Sequence, residues 1–159
     1  MENQTSGRPA FALDDAVAIA RRAHEGQLDK GGKPYIAHPL RVMRAVEAEG
    51  EWHQMAAVLH DVIEDTDVTA ADLRLAGCPD PVVAAVVALS KLPREPLEAS
   101  MARAAADPIA LVVKRADIAD NRSEARLGQL DEATQTRLRA KYARSVTLLE
   151  RYAEEYAPH

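Results

Sequence analysis

The stretch AAVLHDVIEDT, residues 56–66, decides how this chain is interpreted. Four apolar residues lead directly into His60 and Asp61, which predicts a helix whose end enters the core rather than leaving it. A histidine and an aspartate are expensive to bury without a partner. A divalent cation supplies one, because imidazole nitrogen and carboxylate oxygen are both good ligands for Mn²⁺, Fe²⁺ or Zn²⁺. The stretch therefore predicts a metal site at the end of a buried helix.

Two more acids follow this pair at helical spacing. Glu64 lies four residues after His60, and Asp65 lies four residues after Asp61, so a continuous helix would carry all four groups on one side. An HD dipeptide alone arises by chance, and a helix end of this composition could simply be solvated. Four such groups on one side, however, repel one another or stay unpaired unless a cation lies among them, which strengthens the metal hypothesis.

Three other polar residues are placed where they could join the site. Asp117 directly follows an apolar helical stretch, and Asn121 comes four residues later on the same helical side. His38 sits in the sequence PYIAHP, where a stiff segment fixes it at the start of a helix. The alternatives are an Asp117 that pairs with Lys114 or Arg115 and a histidine with a purely structural role.

Apolar residues recur at helical spacing through most of the chain. The pattern predicts a first helix that ends at Gly26, a second that ends at Gly50 and a third over about 51–64. The strand-like runs 86–87 and 112–113 are short and lie in Ala-rich context, so no sheet is predicted. Later helices are expected over 82–89, 98–106 and 108–121, and in a final amphipathic segment that carries Leu138 to Ala153. We therefore predict an all-α, bundle-like, single-domain fold.

Composition limits the classes of function. The 159 residues suit one domain, which we expect over 11–157 after a flexible polar arm at 1–10. A net charge of −5 argues against a nucleic-acid binder that covers many phosphates. It leaves a small anionic substrate open, because a bound metal and a few basic side chains reverse the field inside a pocket.

Three features of the sequence favour the cytoplasm. Cys78 is the single cysteine, so neither an internal disulfide nor a thiolate metal cage is expected. No apolar run approaches the ~20 residues that span a bilayer, so no membrane partner is expected. The first residues lack the basic and apolar pattern of a secretory leader.

Three motifs in order carry a family resemblance: PYIAHP at 34–39, HDVIEDT at 60–66 and K-x-A-D-x-x-x-N at 114–121. Together they resemble the HD-domain phosphohydrolases. Within that family the chain is most similar to the hydrolase domain of the RelA/SpoT alarmone enzymes and to the small alarmone hydrolases. The resemblance runs from about Ala16 to Asn121, and implies the helical HD-domain fold and a small-molecule nucleotide substrate.

Carried over position by position, the resemblance implies one divalent ion, typically Mn²⁺, with Fe²⁺, Zn²⁺ or Mg²⁺ as alternatives. Its four protein ligands would be His38, His60, Asp61 and Asp117. Glu64 and Asp65 match the acidic pair that handles the attacking water. The residues that match substrate-binding positions are Lys30, Tyr35, Lys91 and Asn121.

The chain departs from the alarmone hydrolases at three places that bear on the nucleotide. The loop 26–33 is shorter and less basic, K-R-A-D replaces K-L-A-D, and Asp120 stands where an aromatic residue or histidine precedes Asn121. The leading hypothesis is release of pyrophosphate from the 3′ position of (p)ppGpp-like guanosine nucleotides. The alternatives are a phosphohydrolase or nucleotidase for another nucleotide, and a non-catalytic nucleotide-binding regulatory module.

Three further features of the sequence are not assigned to the metal site or to substrate binding. His24 is expected to be either solvated or a support for the site. Arg41 and Arg44 are interpreted as a solvated helix side. The apolar run 82–89 and the last helix could supply the face of a homodimer.

Overall fold

The computed structural model describes residues 10–158, and every regular element in that range is helical. Its β pairing is limited to one isolated bridge, between Leu28 and Pro34. The all-α prediction is confirmed. Apart from Ala10, the predicted arm at 1–10 lies outside the described residues.

The helices differ in length from single turns to one of 25 residues. In chain order they are α1 (Leu13–Ala23), α2 (Ala37–Ala45), α3 (Glu51–Leu59), α4 (Val62–Asp65), α5 (Ala70–Leu75), α6 (Asp80–Leu89), α7 (Leu97–Ala106), α8 (Pro108–Asn121), α9 (Glu124–Leu127) and α10 (Glu132–Tyr156), with a 3-10 turn at Glu47–Glu49.

Side-chain caps explain where several helices begin. The Asp107 carboxylate accepts hydrogen bonds from the backbone N–H groups of Ile109 and Ala110, at 3.0 and 2.9 Å, and Pro108 opens α8. These bonds satisfy amides that have no partner within the first turn. The carboxylate of Asp131 does the same for α10, where it accepts from the N–H of Thr134 at 2.8 Å. The side chain just before each helix therefore fixes where α8 and α10 begin.

Helix α3 forms the centre of the core. Its second half, Met55 to Leu59, is fully or almost fully buried, and it packs against α1, α2, α6 and α8. Helices α2 and α8 also contact each other. The ends of α2, α3 and α8 that carry the motifs can therefore meet at one point.

The prediction of one continuous helix over about 51–64 is wrong. Helix α3 ends at Leu59, and a separate single turn, α4, begins at Val62. The imidazole of His60 lies 2.6 Å from the carbonyl oxygen of Ala57, a helical acceptor that it shares with its own backbone N–H at 3.4 Å. Residues 60 and 61 form a turn, the bend between α3 and α4, and the acids Glu64 and Asp65 of α4 lie close to Asp61.

The apolar run of α6 is accounted for by the core. Most of its residues are buried within the chain, and Val87 is the exception among its large side chains, with 42% exposed. A homodimer stays a prediction. Over residues 10–158, no helix combines the length and the apolar character needed to cross a membrane.

Candidate metal centre and its cavity

The four residues predicted as metal ligands come together. His38 lies on α2, His60 and Asp61 at the bend between α3 and α4, and Asp117 on α8. The Oδ1 atom of Asp117 lies 2.9 Å from Nε2 of His38 and 3.3 Å from Nε2 of His60. The Oδ2 atom of Asp61 lies 3.0 Å from the same nitrogen of His60. Residues separated by up to 79 positions therefore form one cluster.

The orientation of His60 fits a metal ligand. Its Nδ1 donates to the carbonyl oxygen of Ala57, so Nε2 carries the lone pair of the neutral ring. Among the described residues, that buried Nε2 has no hydrogen-bond partner, although two carboxylate oxygens lie close to it. An unpartnered buried nitrogen beside carboxylates is the environment that a cation would complete.

The charges of the cluster point the same way. Burial disfavours charge at Asp117, but Lys114 and His60 outweigh it and hold the pKa of Asp117 well below its usual value. Burial likewise opposes the charge of His60, and the carboxylates of Asp61 and Asp117 override it and raise the pKa of His60. Without an ion, the two carboxylates therefore favour a proton on the histidine, which shows that this cluster attracts positive charge.

Neighbouring side chains hold the two carboxylates in place. The hydroxyl of Tyr35 donates to Oδ2 of Asp61, and burial followed by the charge of Asp61 raises the pKa of Tyr35. Lys114 donates to Oδ2 of Asp117 at 3.0 Å, and the amide of Asn121 donates to its Oδ1 at 3.1 Å. Tyr35 and Asn121, predicted to contact substrate, thus contact the proposed ligands directly.

Asp120 and Arg41 belong to the site and were not predicted to. Oδ2 of Asp120 lies 2.6 Å from Nδ1 of His38, and the guanidinium of Arg41 donates to both oxygens of Asp120 at 2.8 and 3.0 Å. Arg41 is exposed, as the interpretation of a solvated helix side expects, and it also contacts Asp120. Spacing held a signal, since Arg41 follows His38 by three positions and Asp120 follows Asp117 by three.

His24 is buried, so the first of its two expected roles, solvation, is wrong. Its Nδ1 lies 2.9 Å from Oε1 of Gln27, whose amide donates to the backbone carbonyl of Asp65 at 3.0 Å. The His24 ring also contacts that of Tyr35, with 5.0 Å between the centroids. His24 therefore supports the acidic turn α4 and the tyrosine that holds Asp61.

A cavity of about 430 Å³ opens beside the cluster. Apolar side chains of α7 and α10, among them Met101 and Tyr142, form part of its wall. The basic residues that line it come from separate parts of the chain: Lys30, Lys91, Lys114, Arg126 and Lys141. Burial and the charges of the other three lysines lower the pKa of Lys141. The cavity thus places basic side chains beside the acidic residues that also line it.

The two predicted catalytic acids lie at the edge of this cavity, beside Asp61. Glu64 accepts a hydrogen bond from the backbone N–H of Lys91 at 2.5 Å, which fixes one of its oxygens. Burial, with the charges of Asp61 and Glu64, raises the pKa of Asp65 to about 6. A carboxylate of that pKa can accept a proton near neutral pH.

Comparison with known proteins supplies a family. The sequence pattern of the HD domain matches residues 16–141. A guanosine-3′,5′-bis(diphosphate) 3′-pyrophosphohydrolase of Vibrio cholerae is 49% identical over 65 residues, 39% of this chain and 9% of that protein. A protein of Streptomyces coelicolor named GTP pyrophosphokinase is 35% identical over 116 residues, 66% of this chain and 14% of that protein. The chain therefore matches only a small part of the length of these relatives.

A solved structure extends the likeness over the whole domain. It belongs to a metazoan ortholog of SpoT, described as hydrolysing ppGpp and acting in starvation responses. It matches with a TM-score of 0.73 at 24% identity and covers 94% of this chain and 96% of that one. At that identity the match shows a shared fold. With the sequence match over 16–141, it follows that this chain belongs to the HD domain family.

Proposed function

We propose that this chain is a metal-dependent phosphohydrolase that removes pyrophosphate from the 3′ position of (p)ppGpp-like guanosine nucleotides. The observation that carries the proposal is the buried Nε2 of His60, which has no hydrogen-bond partner among the described residues. It lies 3.0 and 3.3 Å from carboxylate oxygens of Asp61 and Asp117, two residues that line the cavity. The name of the Vibrio cholerae relative, which is 49% identical to this chain over 65 residues, supports this substrate.

The residues that would hold the ion are His38, His60, Asp61 and Asp117. Two imidazoles and two carboxylates suit Mn²⁺, which we propose as the ion, and also suit Fe²⁺ and Zn²⁺. A divalent ion in this position supplies Lewis-acid chemistry, which makes water more acidic and a phosphoryl group more electrophilic. Tyr35, Lys114 and Asn121 would keep the carboxylate oxygens aimed at it through the hydrogen bonds described above.

Glu64 and Asp65 would orient the attacking water and accept its proton. Glu64 is restrained by the backbone N–H of Lys91, so its second oxygen is available to a water in the cavity. Asp65, with a pKa of about 6, is deprotonated at neutral pH yet more basic than an ordinary aspartate. The two acids thus suit water positioning and proton transfer at one edge of the cavity.

The cavity's basic residues would neutralise the phosphates. Lys30 and Lys91 lie in the connections before α2 and after α6, and Lys141 lies on α10, so they line the cavity from separate parts of the chain. A guanosine bis(diphosphate) carries phosphate groups at two positions of one ribose, so it needs cations on more than one side. This distribution favours such a substrate over a nucleoside with a single phosphate.

The test is an assay of ppGpp hydrolysis with added Mn²⁺, in which pyrophosphate and phosphate are quantified separately. We expect pyrophosphate as product and a loss on the order of 10³-fold in the Asp61→Ala protein, because the site loses one ligand. Folding of the variant is checked by circular dichroism. Equal turnover by a folded Asp61→Ala protein would refute the proposed site, and phosphate as the product would refute the proposed reaction.

One observation favours a different nucleotide as substrate. Asp29 also lines the cavity, and its Oδ1 accepts from the backbone N–H groups of Gly31 and Lys33 at 2.9 Å each. This fixed negative charge beside Lys30 reduces the local attraction for phosphate. A panel of nucleotides assayed with Mn²⁺ separates the two candidates. Tight nucleotide binding without turnover under several metals would instead indicate a regulatory module.

A further inference from the structure

Two groups of opposite charge lie against Nδ1 of His38. Oδ2 of Asp120 is 2.6 Å away, and Nη1 of Arg126 is 3.0 Å away. A carboxylate can only accept a hydrogen bond, whereas a guanidinium can only donate one. Asp120 therefore requires a proton on Nδ1, and Arg126 requires a lone pair there. The two neighbours select opposite tautomers of the same ring.

The surroundings favour Asp120 in this competition. Arg41 holds both oxygens of Asp120 through two N–H groups, and such forked pairs are the strongest and best-oriented hydrogen bonds of carboxylates. Nη1 of Arg126 has other partners, since it donates to Oδ1 of Asn121 and lies 3.6 Å from Oδ2 of Asp120. Asp120 is thus fixed in place, while Arg126 is satisfied without His38.

The tautomer decides what the other nitrogen can do. Nε2 of His38 lies 2.9 Å from Oδ1 of Asp117. If Nε2 carried the only proton of the ring, it would donate a hydrogen bond to Oδ1 of Asp117. Neither Nε2 nor that oxygen could then bind the metal ion. With the proton on Nδ1, Nε2 presents a lone pair beside the carboxylate, and both atoms are free for one cation.

We propose that Asp120, held by Arg41, is a positioning residue that keeps the proton of His38 on Nδ1 and so makes Nε2 a metal ligand. The inference rests on the proposed function, because it takes His38 as a ligand. It goes beyond that function by giving a role to Asp120 and Arg41 and by making Arg126 the competitor that Asp120 overrides.

The test compares metal binding and proton position in the wild type and four variants. Mn²⁺ affinity is measured by calorimetry without nucleotide, and the protonation of His38 in the metal-free protein is read from imidazole ¹⁵N NMR. We expect Asp120→Ala to bind Mn²⁺ about 10- to 100-fold more weakly, the usual effect of losing such a support. We also expect its Nδ1 to lose the proton, because Arg126 would be the remaining partner.

The double variant Asp120→Ala/Arg126→Ala separates this role from a structural one. With the competing donor gone, we expect it to recover Mn²⁺ affinity to within a few-fold of Arg126→Ala alone. The control is Glu150→Ala. Glu150 of α10 accepts two hydrogen bonds, at 2.7 and 2.9 Å, from Arg115, which lies on α8 like Asp120, so this variant removes a similar forked pair. We expect the Mn²⁺ affinity of that variant to equal the wild-type value.

Several outcomes would overturn the proposal. An unchanged Mn²⁺ affinity and an Nδ1 that stays protonated in Asp120→Ala would do so, and so would a double variant as weak as Asp120→Ala. Should Asp120→Ala fail to fold, Arg41→Gln loosens the same carboxylate, and unchanged Mn²⁺ affinity in it would also count against the proposal. Because no nucleotide is present, these results are independent of whether ppGpp is the substrate.

Discussion

At the scale of single residues, the candidate site is a cluster of buried carboxylates. Neighbouring side chains neutralise only part of their negative charge. Asp61 and Asp117 are held as carboxylates, in spite of burial, by neighbouring cationic and donor groups. His60 responds with a raised pKa. A protein that folds with such a cluster is stabilised by any ligand that brings positive charge to it.

The first prediction concerns metal and stability. Mn²⁺ should raise the melting temperature, because an ion present at 100 times its dissociation constant adds about 2.7 kcal/mol to the free energy of unfolding. Asp117→Asn should abolish most of this increase, since the charge shared by both histidines is lost. Differential scanning calorimetry with and without chelator measures the effect. An increase in Asp117→Asn equal to that of the wild type would contradict the ligand assignment.

The second prediction concerns Asp65 in the metal-free protein. Its pKa of about 6 lies above the ordinary value of an unfolded aspartate, so the folded state binds the extra proton more tightly. Asp65 therefore lowers the free energy of unfolding as pH rises from about 4 to about 6. In Asp65→Asn this decrease should be smaller, as followed by urea denaturation from pH 4 to 7. Parallel curves for both proteins would contradict the raised pKa.

At the scale of elements, the sequence predicted most helices but missed their breaks. The i, i+4 spacing of His60 and Glu64 is the same whether the helix continues or bends, so periodicity could not reveal that α3 ends at Leu59. The break coincides with a local contact from the His60 ring to the carbonyl of Ala57, which the order of residues does not reveal. The short helix α9 escaped prediction because one turn carries too little periodicity.

The connection between α6 and α7 is more ordered than its composition indicates. Arg103 of α7 donates to both carboxylate oxygens of Glu95 and to the backbone carbonyl of Ser90, the last at 2.6 Å. Lys91, whose N–H restrains Glu64, lies within the same segment. The ion pair between Arg103 and Glu95 therefore stabilises the same connection that positions Glu64, one of the two proposed proton acceptors.

The third prediction tests that pair. The hydrogen bond from Arg103 holds the pKa of Glu95 below its usual range, so its stabilising effect is present above the unfolded pKa and is lost as pH falls through the folded one. Glu95→Gln should therefore lower the melting temperature at pH 7 by about 2–4 °C, with a smaller difference at pH 3. The control is Glu124→Gln, whose exposed pair with Arg139 should contribute little. Equal effects of both substitutions would contradict the assigned role.

At the scale of the whole molecule, the site exists because α2, α3 and α8 contact one another in pairs. The motifs alone were enough to select the four proposed ligands from the sequence, since each motif has a recognisable residue order. They could not show that Asp120 reaches across to His38 and Arg41, or that α10 closes one side of the cavity. Those features depend on how helices pack, and α10 lies beyond the region that the motifs cover.

The fourth prediction follows from that packing. Lys141 of α10 lines the cavity with three other lysines, and we find no carboxylate paired with it among the described residues. Lys141→Ala should therefore raise KM for a bis(diphosphate) nucleotide by about 5- to 30-fold, the effect of losing one or two kcal/mol of charge-assisted binding, with a smaller change in kcat. Steady-state kinetics at low and high ionic strength measures both constants.

Arg151→Ala is the matched control for that experiment, because it removes one positive charge from an exposed position of the same helix. A general field effect of net charge would change KM equally in both variants and would vanish in high salt. A cavity contact would change KM in Lys141→Ala alone and would persist at higher ionic strength, since a partly buried ion pair is screened less. Equal KM values for the two variants would mean that α10 contributes an apolar wall but no phosphate contact.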